Sequence, residues 1–178
     1  MDKRPAIFLD RDGTIIEDAN YPKYPEQVHF LSDVEIVLSI FQKKGFLLIL
    51  ISNQSGIGRG LITMEEANNV HHRVLSILNN KGVCLDASYY CIHGPEENCS
   101  CRKPSPEMIL RAAEELNVDL SNSFMIGDRE VDMETGKNAG CRTILIKSGQ
   151  ETGISVLADY TADNWQDVLR HVIETSGL

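Results

Sequence analysis

Two acidic residues stand directly behind a short apolar run near the start of the sequence. Residues 6–9 read Ala-Ile-Phe-Leu, and Asp10 and Asp12 follow them with one residue between. Side chains alternate along an extended chain, so acids spaced in this way point to the same spot. Their mutual repulsion falls when a cation or a shared proton is present, and a carboxylate can also attack phosphorus. The alternative is a polar turn that happens to carry two acids.

Further polar clusters follow other apolar runs. Ser52 and Asn53 come after the run at 46–51, Asp128 and Asp132 come after the run at 123–126, and Arg102-Lys103 precede a predicted helix start. In a parallel sheet, the carboxyl ends of the strands meet at one edge, where ligands bind. Carboxylate oxygens favour Mg²⁺, which pairs with phosphate. Lys103 and Ser52 could hold the remaining phosphate oxygens.

The elements that must position these residues alternate between strands and helices. The pattern predicts strands at 6–9, 46–51, 88–92, 123–126 and 141–146, a possible short strand at 158–161, and a last helix at 164–174. Capping-box spacings at Ser32/Glu35 and Thr63/Glu66 predict two helix starts. We therefore expect an α/β fold with a doubly wound, mostly parallel sheet. Residues 1–178 are predicted to form a single domain without a large cap domain, so that only loops roof the site.

The composition limits the possible partners. The chain has 178 residues and a net charge of −9, which argues against binding to a nucleic-acid backbone or an anionic membrane surface. No apolar run reaches spanning length, and no signal-peptide core follows residues 1–4. The charge does not argue against a small phosphorylated substrate, which needs only local positive charge. We expect a cytoplasmic monomer.

Four soft metal ligands lie within eleven residues. Cys91 and His93 form one pair and Cys99 and Cys101 form another. Three thiolates and one imidazole suit a closed, structural zinc site, which would form a zinc-binding loop at 91–101. The alternative is a set of scattered core thiols. The two remaining cysteines, Cys84 and Cys141, have apolar neighbours in the sequence and are predicted to be buried.

As a set, these motifs resemble the haloacid dehalogenase-like phosphatases. The resemblance covers about residues 5–147 and rests on four motifs in order: Asp10-Arg11-Asp12-Gly13-Thr14, Ser52-Asn53, Lys103, and Gly127-Asp128 followed by Asp132. It implies a Rossmannoid fold and phosphoryl transfer through an aspartyl-phosphate.

The resemblance also implies a role for each motif residue. Asp10 would be the nucleophile, and Asp12 would be the general acid and then the general base. Ser52 and Lys103 would stabilise the transferring phosphoryl group. Mg²⁺ would be bound by Asp10, the backbone carbonyl of Asp12, and Asp128. Asp132 would support the site without binding the metal directly.

Within this family, the cysteine-rich loop resembles that of two groups, the heptose 1,7-bisphosphate 7-phosphatases and the histidinol phosphatases. The loop at 53–60, Asn-Gln-Ser-Gly-Ile-Gly-Arg-Gly, favours the heptose group. Histidinol phosphate remains the alternative substrate, and a non-catalytic binding protein on the same scaffold is a second alternative. Candidate substrate-binding residues are Asp18, Asn20 and Tyr21 for sugar hydroxyls, Asn53, Gln54 and Ser55 in the loop, Arg59 and Arg102 for a second anion, and Arg129, which stands where some relatives carry lysine.

Overall fold

A computed structural model describes residues 2–147 and 155–177. Within these residues, six parallel strands form one sheet in the order β3-β2-β1-β4-β5-β6. The strands are β1 Ala6–Leu9, β2 Leu47–Asn53, β3 Ala87–Cys91, β4 Phe124–Gly127, β5 Arg142–Ile146 and β6 Tyr160–Ala162. Their carboxyl ends therefore share one edge, as the alternating sequence pattern predicts. The expectation of a doubly wound parallel sheet is confirmed.

Helices cover both faces of the sheet. They are α1 Val34–Lys43, α2 Ser55–Gly58, α3 Met64–Asn80, α4 Glu107–Leu116, α5 Glu130–Ala139 and α6 Trp165–Ser176. Helices α1, α3 and α6 contribute to one apolar cluster with Ile7 and Leu9 of β1. Helices α4 and α5 contribute to the other cluster with Ala6 and Phe8. Because successive side chains of β1 point to opposite faces of the sheet, this strand contributes to both apolar clusters.

Two local expectations from the sequence meet different outcomes. Thr63 caps α3 as predicted: its hydroxyl accepts from Glu66 N at 3.1 Å, and its own N–H donates to Glu66 Oε2 at 2.7 Å. The capping box predicted at Ser32 is wrong. Helix α1 begins at Val34 and is preceded by Asp33 in a left-handed conformation with φ 68°, and no side chain caps it. This left-handed turn separates Ser32 from the first turn of the helix.

The prediction for Cys84 is also wrong, because its side chain is exposed, whereas Cys141 is buried as expected. Cys84 follows the buried Val83 in an irregular segment that leads to β3. Adjacent side chains of an extended segment point in opposite directions, so burial of Val83 turns Cys84 towards solvent.

In the part of the chain that the structure describes, only loops and short helices cover the site edge. Within the described residues, the longest connections that cross this edge carry α2 and short 3₁₀ turns at Pro25–Gln27 and Pro95–Glu97, with no large cap domain. No helix in the described parts of the chain has the length and apolar character needed to cross a membrane.

Candidate active site

The carboxyl ends of the strands surround a cavity of about 300 Å³. It is lined by Val131 and by thirteen of the residues singled out from the sequence: Asp10, Asp12, Asp18, Asn20, Tyr21, Ser52, Asn53, Gln54, Ser55, Arg102, Lys103, Arg129 and Asp132. Two other candidates do not line it. Asp128 is fully buried, and Arg59 donates to the hydroxyl of Tyr21 at 2.9 Å. The fold therefore brings the four separated polar clusters of the sequence to one place.

Lys103 is the buried cation at the centre of the cluster. Its Nζ donates to Asp10 Oδ1 at 2.6 Å, to Asp132 Oδ1 at 2.6 Å and to the carbonyl oxygen of Ile51 at 3.1 Å. Burial disfavours the charge of Lys103, but the two carboxylates outweigh it and raise the pKa of the ammonium group. Asn53 anchors the main chain here: its amide accepts from Lys103 N at 3.0 Å and donates to Lys103 O at 3.2 Å. Lys103 is thus held as a charged group from both ends.

Asp10 carries a perturbed carboxyl group. Its main-chain N–H donates to Ile126 O at 3.0 Å, which ties the end of β1 to β4. Burial raises the pKa of Asp10 to about 7, with Lys103 opposing the shift and Asp132 adding to it. A buried carboxylate next to a second one needs positive charge to remain ionised. Lys103 supplies part of that charge.

Asp128 has an oxygen without a hydrogen bond in a position that suits a metal ion, and Arg129 Nε lies 3.8 Å from this oxygen. Thr14 Oγ1 donates to its Oδ1 at 3.3 Å, whereas Oδ2 is buried and has no hydrogen-bond partner among the described residues. Burial raises the pKa of Asp128 to about 6, and Asp132 adds to the shift. Gly13 makes the approach possible, because a Cβ there would lie 2.3 Å from Asp128 Oδ2. Oxygens of Asp10, Asp128 and Asp132 lie within 4.8 Å of one another, a hard donor set that fits Mg²⁺.

Asp12 is held by a network of side chains behind the cavity. Arg11 binds it through two hydrogen bonds, Nε to Oδ1 at 3.1 Å and Nη2 to Oδ2 at 2.9 Å. Gln54 Nε2 donates to Asp12 Oδ2 and to Ser52 Oγ, both at 2.9 Å. Gln54 Oε1 accepts from Arg11 Nη2 at 3.0 Å. This network fixes the orientation of both Asp12 and Ser52.

The loop at 18–21 forms one wall of the cavity and is fastened at two points. Asp18 forms an ion pair with Arg129, with 2.6 Å between Oδ2 and Nη2. Tyr21 packs so close to Gly56 that a Cβ there would meet its ring at 2.6 Å. Asn20 and Tyr21 both have positive φ, 51° and 66°. Such backbone is costly for residues other than glycine and often occurs at functional sites.

The cysteine–histidine loop brings its four predicted ligands together. Cys91 Sγ lies 3.5 Å from Cys99 Sγ and 3.7 Å from His93 Nδ1. Cys101 Sγ lies 3.5 Å from His93 Nδ1 and 3.8 Å from Cys99 Sγ. Tetrahedral zinc bonds of about 2.3 Å to sulfur and about 2.0 Å to nitrogen require donor separations of roughly 3.5–3.8 Å. The four donors therefore fit a zinc ion.

Reasoning from the sequence missed two residues of this site, namely Arg11 and Thr14, which belong to the first motif. Arg11 is only 1% exposed, and Thr14 is fully buried. A signal for Arg11 was present, since the residue between two acids that point to the site must point away, towards the protein interior. A buried guanidinium needs a carboxylate partner.

Comparisons with known proteins point to one family. A family model described as HAD-hydrolase-like matches residues 100–174. The D-glycero-beta-D-manno-heptose-1,7-bisphosphate 7-phosphatase of Helicobacter pylori strain 26695 is 42% identical over 147 residues, which are 82% of this chain and 85% of that protein. The protein of the same name from Vibrio cholerae serotype O1 is 37% identical and covers 96% of this chain and 97% of its own length.

Solved structures give the same result. The crystal structure of D,D-heptose 1,7-bisphosphate phosphatase from B. bronchiseptica, complexed with magnesium and phosphate, matches with a TM-score of 0.87 and 28% identity. The match covers 96% of this chain and 98% of that one. The heptose bisphosphate phosphatase from Burkholderia thailandensis shares the fold, with a TM-score of 0.73. The chain therefore belongs to the haloacid dehalogenase-like family, among its sugar-phosphate phosphatases.

Proposed function

We propose that this protein removes the 7-phosphate of D-glycero-D-manno-heptose 1,7-bisphosphate through an aspartyl-phosphate on Asp10, with Mg²⁺ as cofactor. The observation that carries the chemistry is the convergence of Asp10, Asp12, Ser52 and Lys103 on one cavity. The names of the relatives support the substrate, and most of them specify the β-anomer.

The chemistry divides between the two acids of the first motif. Asp10 attacks phosphorus, the bond between phosphorus and the sugar oxygen breaks, and Asp12 gives its proton to that oxygen. Asp12 then takes a proton from a water molecule whose oxygen attacks the phosphorus of the aspartyl-phosphate. This second step releases inorganic phosphate and restores Asp10. Lys103 and Ser52 donate hydrogen bonds to the phosphoryl oxygens as charge moves through them.

The residues present fit Mg²⁺. Asp10, Asp128 and the main-chain carbonyl of Asp12 would hold the ion, and Oδ2 of Asp128, which forms no hydrogen bond with a described residue, supports this choice. When bound, the metal neutralises charge on the phosphoryl group. Asp132 supports the site in another way, since its Oδ1 accepts from Lys103 and its Oδ2 accepts from Arg129 N at 3.2 Å.

A bisphosphate needs a second anion site at the rim of the cavity. Arg102 and Arg129 both line the cavity. Arg102 Nη1 also donates to His93 O at 3.4 Å, which links it to the cysteine–histidine loop. Arg59 does not line the cavity, and its guanidinium donates a hydrogen bond to the hydroxyl of Tyr21.

We assign Arg102 and Arg129 to the 1-phosphate, and Asp18, Asn20 and Tyr21 to the sugar hydroxyls. Gln54 and Ser55 would complete the wall on the other side.

The cysteine–histidine loop is proposed to bind a structural zinc ion. All four donors are used, so no coordination position remains for chemistry. The loop leads directly into Arg102 and Lys103. It also packs on the loop at 53–60, since Gly58 N donates to Ile92 O at 2.9 Å. The ion would therefore fix the chain on which Lys103 is placed.

The decisive experiment compares kcat/KM for both anomers of the heptose bisphosphate and for histidinol phosphate. We expect the β-anomer of the bisphosphate to be preferred, with release of the 7-phosphate. Preference for histidinol phosphate would overturn the proposed substrate and leave the proposed reaction mechanism unchanged. Binding of phosphorylated ligands without turnover of any of them would favour a non-catalytic protein. The Asp10→Asn variant, purified in parallel, controls for contaminating phosphatases.

We also propose that the protein is a cytoplasmic monomer. Support comes from the sequence, since the net charge of −9 gives no reason for association with membranes or nucleic acid. Sedimentation at micromolar concentration tests the monomer, for which a mass near 19.9 kDa is expected. A stable dimer would contradict it.

A further inference from the structure

Behind the active site lies a second, smaller cavity of about 30 Å³ that the reaction described above does not use. Its wall includes Arg11, Gln54, Tyr90 and His71. Asp12 does not line this cavity, and Arg11 does not line the larger one. Arg11 therefore stands between Asp12 and the pair formed by Tyr90 and His71.

Tyr90 and His71 are bound to each other. The hydroxyl of Tyr90 lies 2.5 Å from His71 Nδ1, and the two rings meet edge to face, with centroids 5.1 Å apart. The tautomer of His71 decides the direction of this hydrogen bond: with Nδ1 unprotonated, the Tyr90 hydroxyl donates and Nδ1 accepts. Burial lowers the pKa of His71 to about 4, and the charge of Arg11 contributes to the shift. A neutral imidazole is the form that can accept this hydrogen bond.

The fold places these two side chains with little freedom. Tyr90 lies in β3 directly beside Ser52 of β2 in the parallel register. His71 lies on the face of α3 that also turns Met64, Ala67 and Asn68 towards the small cavity, at the spacing of neighbouring helical turns. The adjacent stripe of α3 packs into the apolar core through Val70, Val74 and Leu78. The position of His71 is therefore fixed by core packing.

Arg11 borders this pair: burial raises the pKa of the Tyr90 hydroxyl, and the charge of the Arg11 guanidinium opposes that shift. Its Nε and Nη2 are committed to Asp12 and Gln54, whereas Nη1 is buried and forms no hydrogen bond with any described residue. The guanidinium also borders the small cavity, whose wall includes Tyr90 and His71. If Tyr90 moved, the fork that Arg11 makes with Asp12 could rotate, and proton transfer is sensitive to small displacements.

We propose that Tyr90 and His71 are positioning residues for Asp12 and act on it through Arg11. The inference rests on the proposed function, in which Asp12 protonates the leaving oxygen. In this proposal, the contact between Tyr90 of β3 and His71 of α3 keeps the carboxyl group of Asp12 oriented towards the leaving oxygen. Neither residue touches the substrate.

The test uses two leaving groups. An alkyl phosphate, either heptose 1,7-bisphosphate or histidinol phosphate, needs its leaving oxygen protonated, whereas 4-nitrophenyl phosphate does not. We expect Tyr90→Phe and His71→Leu to lower kcat/KM for the alkyl phosphate by roughly tenfold, a part of the full effect of a general acid. The loss for 4-nitrophenyl phosphate should be less than about twofold. His71→Asn, whose amide oxygen can accept from Tyr90, should restore most of the activity.

Matched controls are available one residue away. Tyr89 donates to Glu115 at 2.6 Å on the other side of β3, and His72 is exposed. Tyr89→Phe and His72→Leu should leave both substrates unaffected. Equal losses for the two substrates, or no loss in Tyr90→Phe and His71→Leu, would overturn the inference. A wild-type chain inactive on all three phosphates would overturn the proposed function, and this inference with it.

Discussion

Lys103 and Asp10 form a buried ion pair, with 2.6 Å between Nζ and Oδ1. The side chain of Lys103 is 3% exposed, and the same ammonium group also binds Asp132 at 2.6 Å. One cation thus holds two carboxylates that would otherwise repel each other in a dry environment. The pair favours the anionic form of Asp10, which the nucleophilic role proposed for it requires.

Replacement of Lys103 by methionine should therefore destabilise the fold as well as remove activity. Loss of one partner of a buried ion pair costs about 3–5 kcal/mol, because the remaining charge is left uncompensated. Burial already raises the pKa of Asp10 against the opposing charge of Lys103, so without Lys103 this carboxylate would bind a proton more readily in the folded than in the unfolded chain. The loss of stability should therefore be larger at pH 8 than at pH 5.5, as measured by urea denaturation in EDTA. Lys81→Met, at an exposed position, is the control, and equal losses for the two variants would contradict the prediction.

Magnesium binding should weaken as the pH falls. In the metal-free fold, the pKa of Asp10 is raised to about 7 and that of Asp128 to about 6, against 3.8 in the unfolded chain. The folded state therefore binds more protons between about pH 4 and pH 7, and its stability is lost as the pH rises through this range. Mg²⁺ competes with those protons, so its apparent dissociation constant should be at least about tenfold larger at pH 5.5 than at pH 8.

A thermal-shift titration with MgCl₂ at the two pH values measures this difference. Asp128→Asn removes one of the titrating ligands and should weaken binding at both pH values and flatten the dependence on pH. An identical dissociation constant at pH 5.5 and pH 8 in the wild-type chain would show that these carboxylates do not bind the ion.

Zinc should be present at about one ion per chain in purified protein. The four donors of the loop at 91–101 lie at separations that suit tetrahedral coordination. Elemental analysis should find that Cys99→Ser loses most of the metal, since a structural site needs all four ligands. Cys84→Ser, outside the cluster and exposed, should retain it. Full zinc content in the Cys99→Ser variant would contradict the proposal that this loop binds zinc.

The two cysteines outside the cluster should differ in reactivity. Cys84 is exposed, whereas burial raises the pKa of Cys141 to about 12. Only the thiolate reacts with iodoacetamide, so the native protein at pH 8 should be alkylated at Cys84 and not at Cys141. Peptide mass mapping reads both sites in one sample, and denatured protein supplies the control. Modification of Cys141 at the same rate as Cys84 would contradict the burial seen in the fold.

The sequence allowed the fold and most of the site to be predicted for one physical reason. In a parallel sheet every strand delivers the residue that follows it to the same edge, so Asp10, Ser52 and Asp128 could be grouped without coordinates. Two kinds of feature could not be read in this way. The direction of Cys84 depends on which neighbour the core buries, and the contact of Tyr90 with His71 joins a strand and a helix whose packing no local pattern records.

The central claim is that Asp10 carries the phosphoryl group and that Asp12 moves the protons. The Asp12→Asn variant tests both roles with 4-nitrophenyl phosphate, whose leaving group departs without a proton. We expect a burst of about one 4-nitrophenol per chain followed by very slow turnover, because the water that must attack has lost its base. After an acid quench, mass spectrometry should find one phosphoryl group on the peptide that contains Asp10. A burst without this modification, or a phosphoryl group on any other residue, would contradict the account.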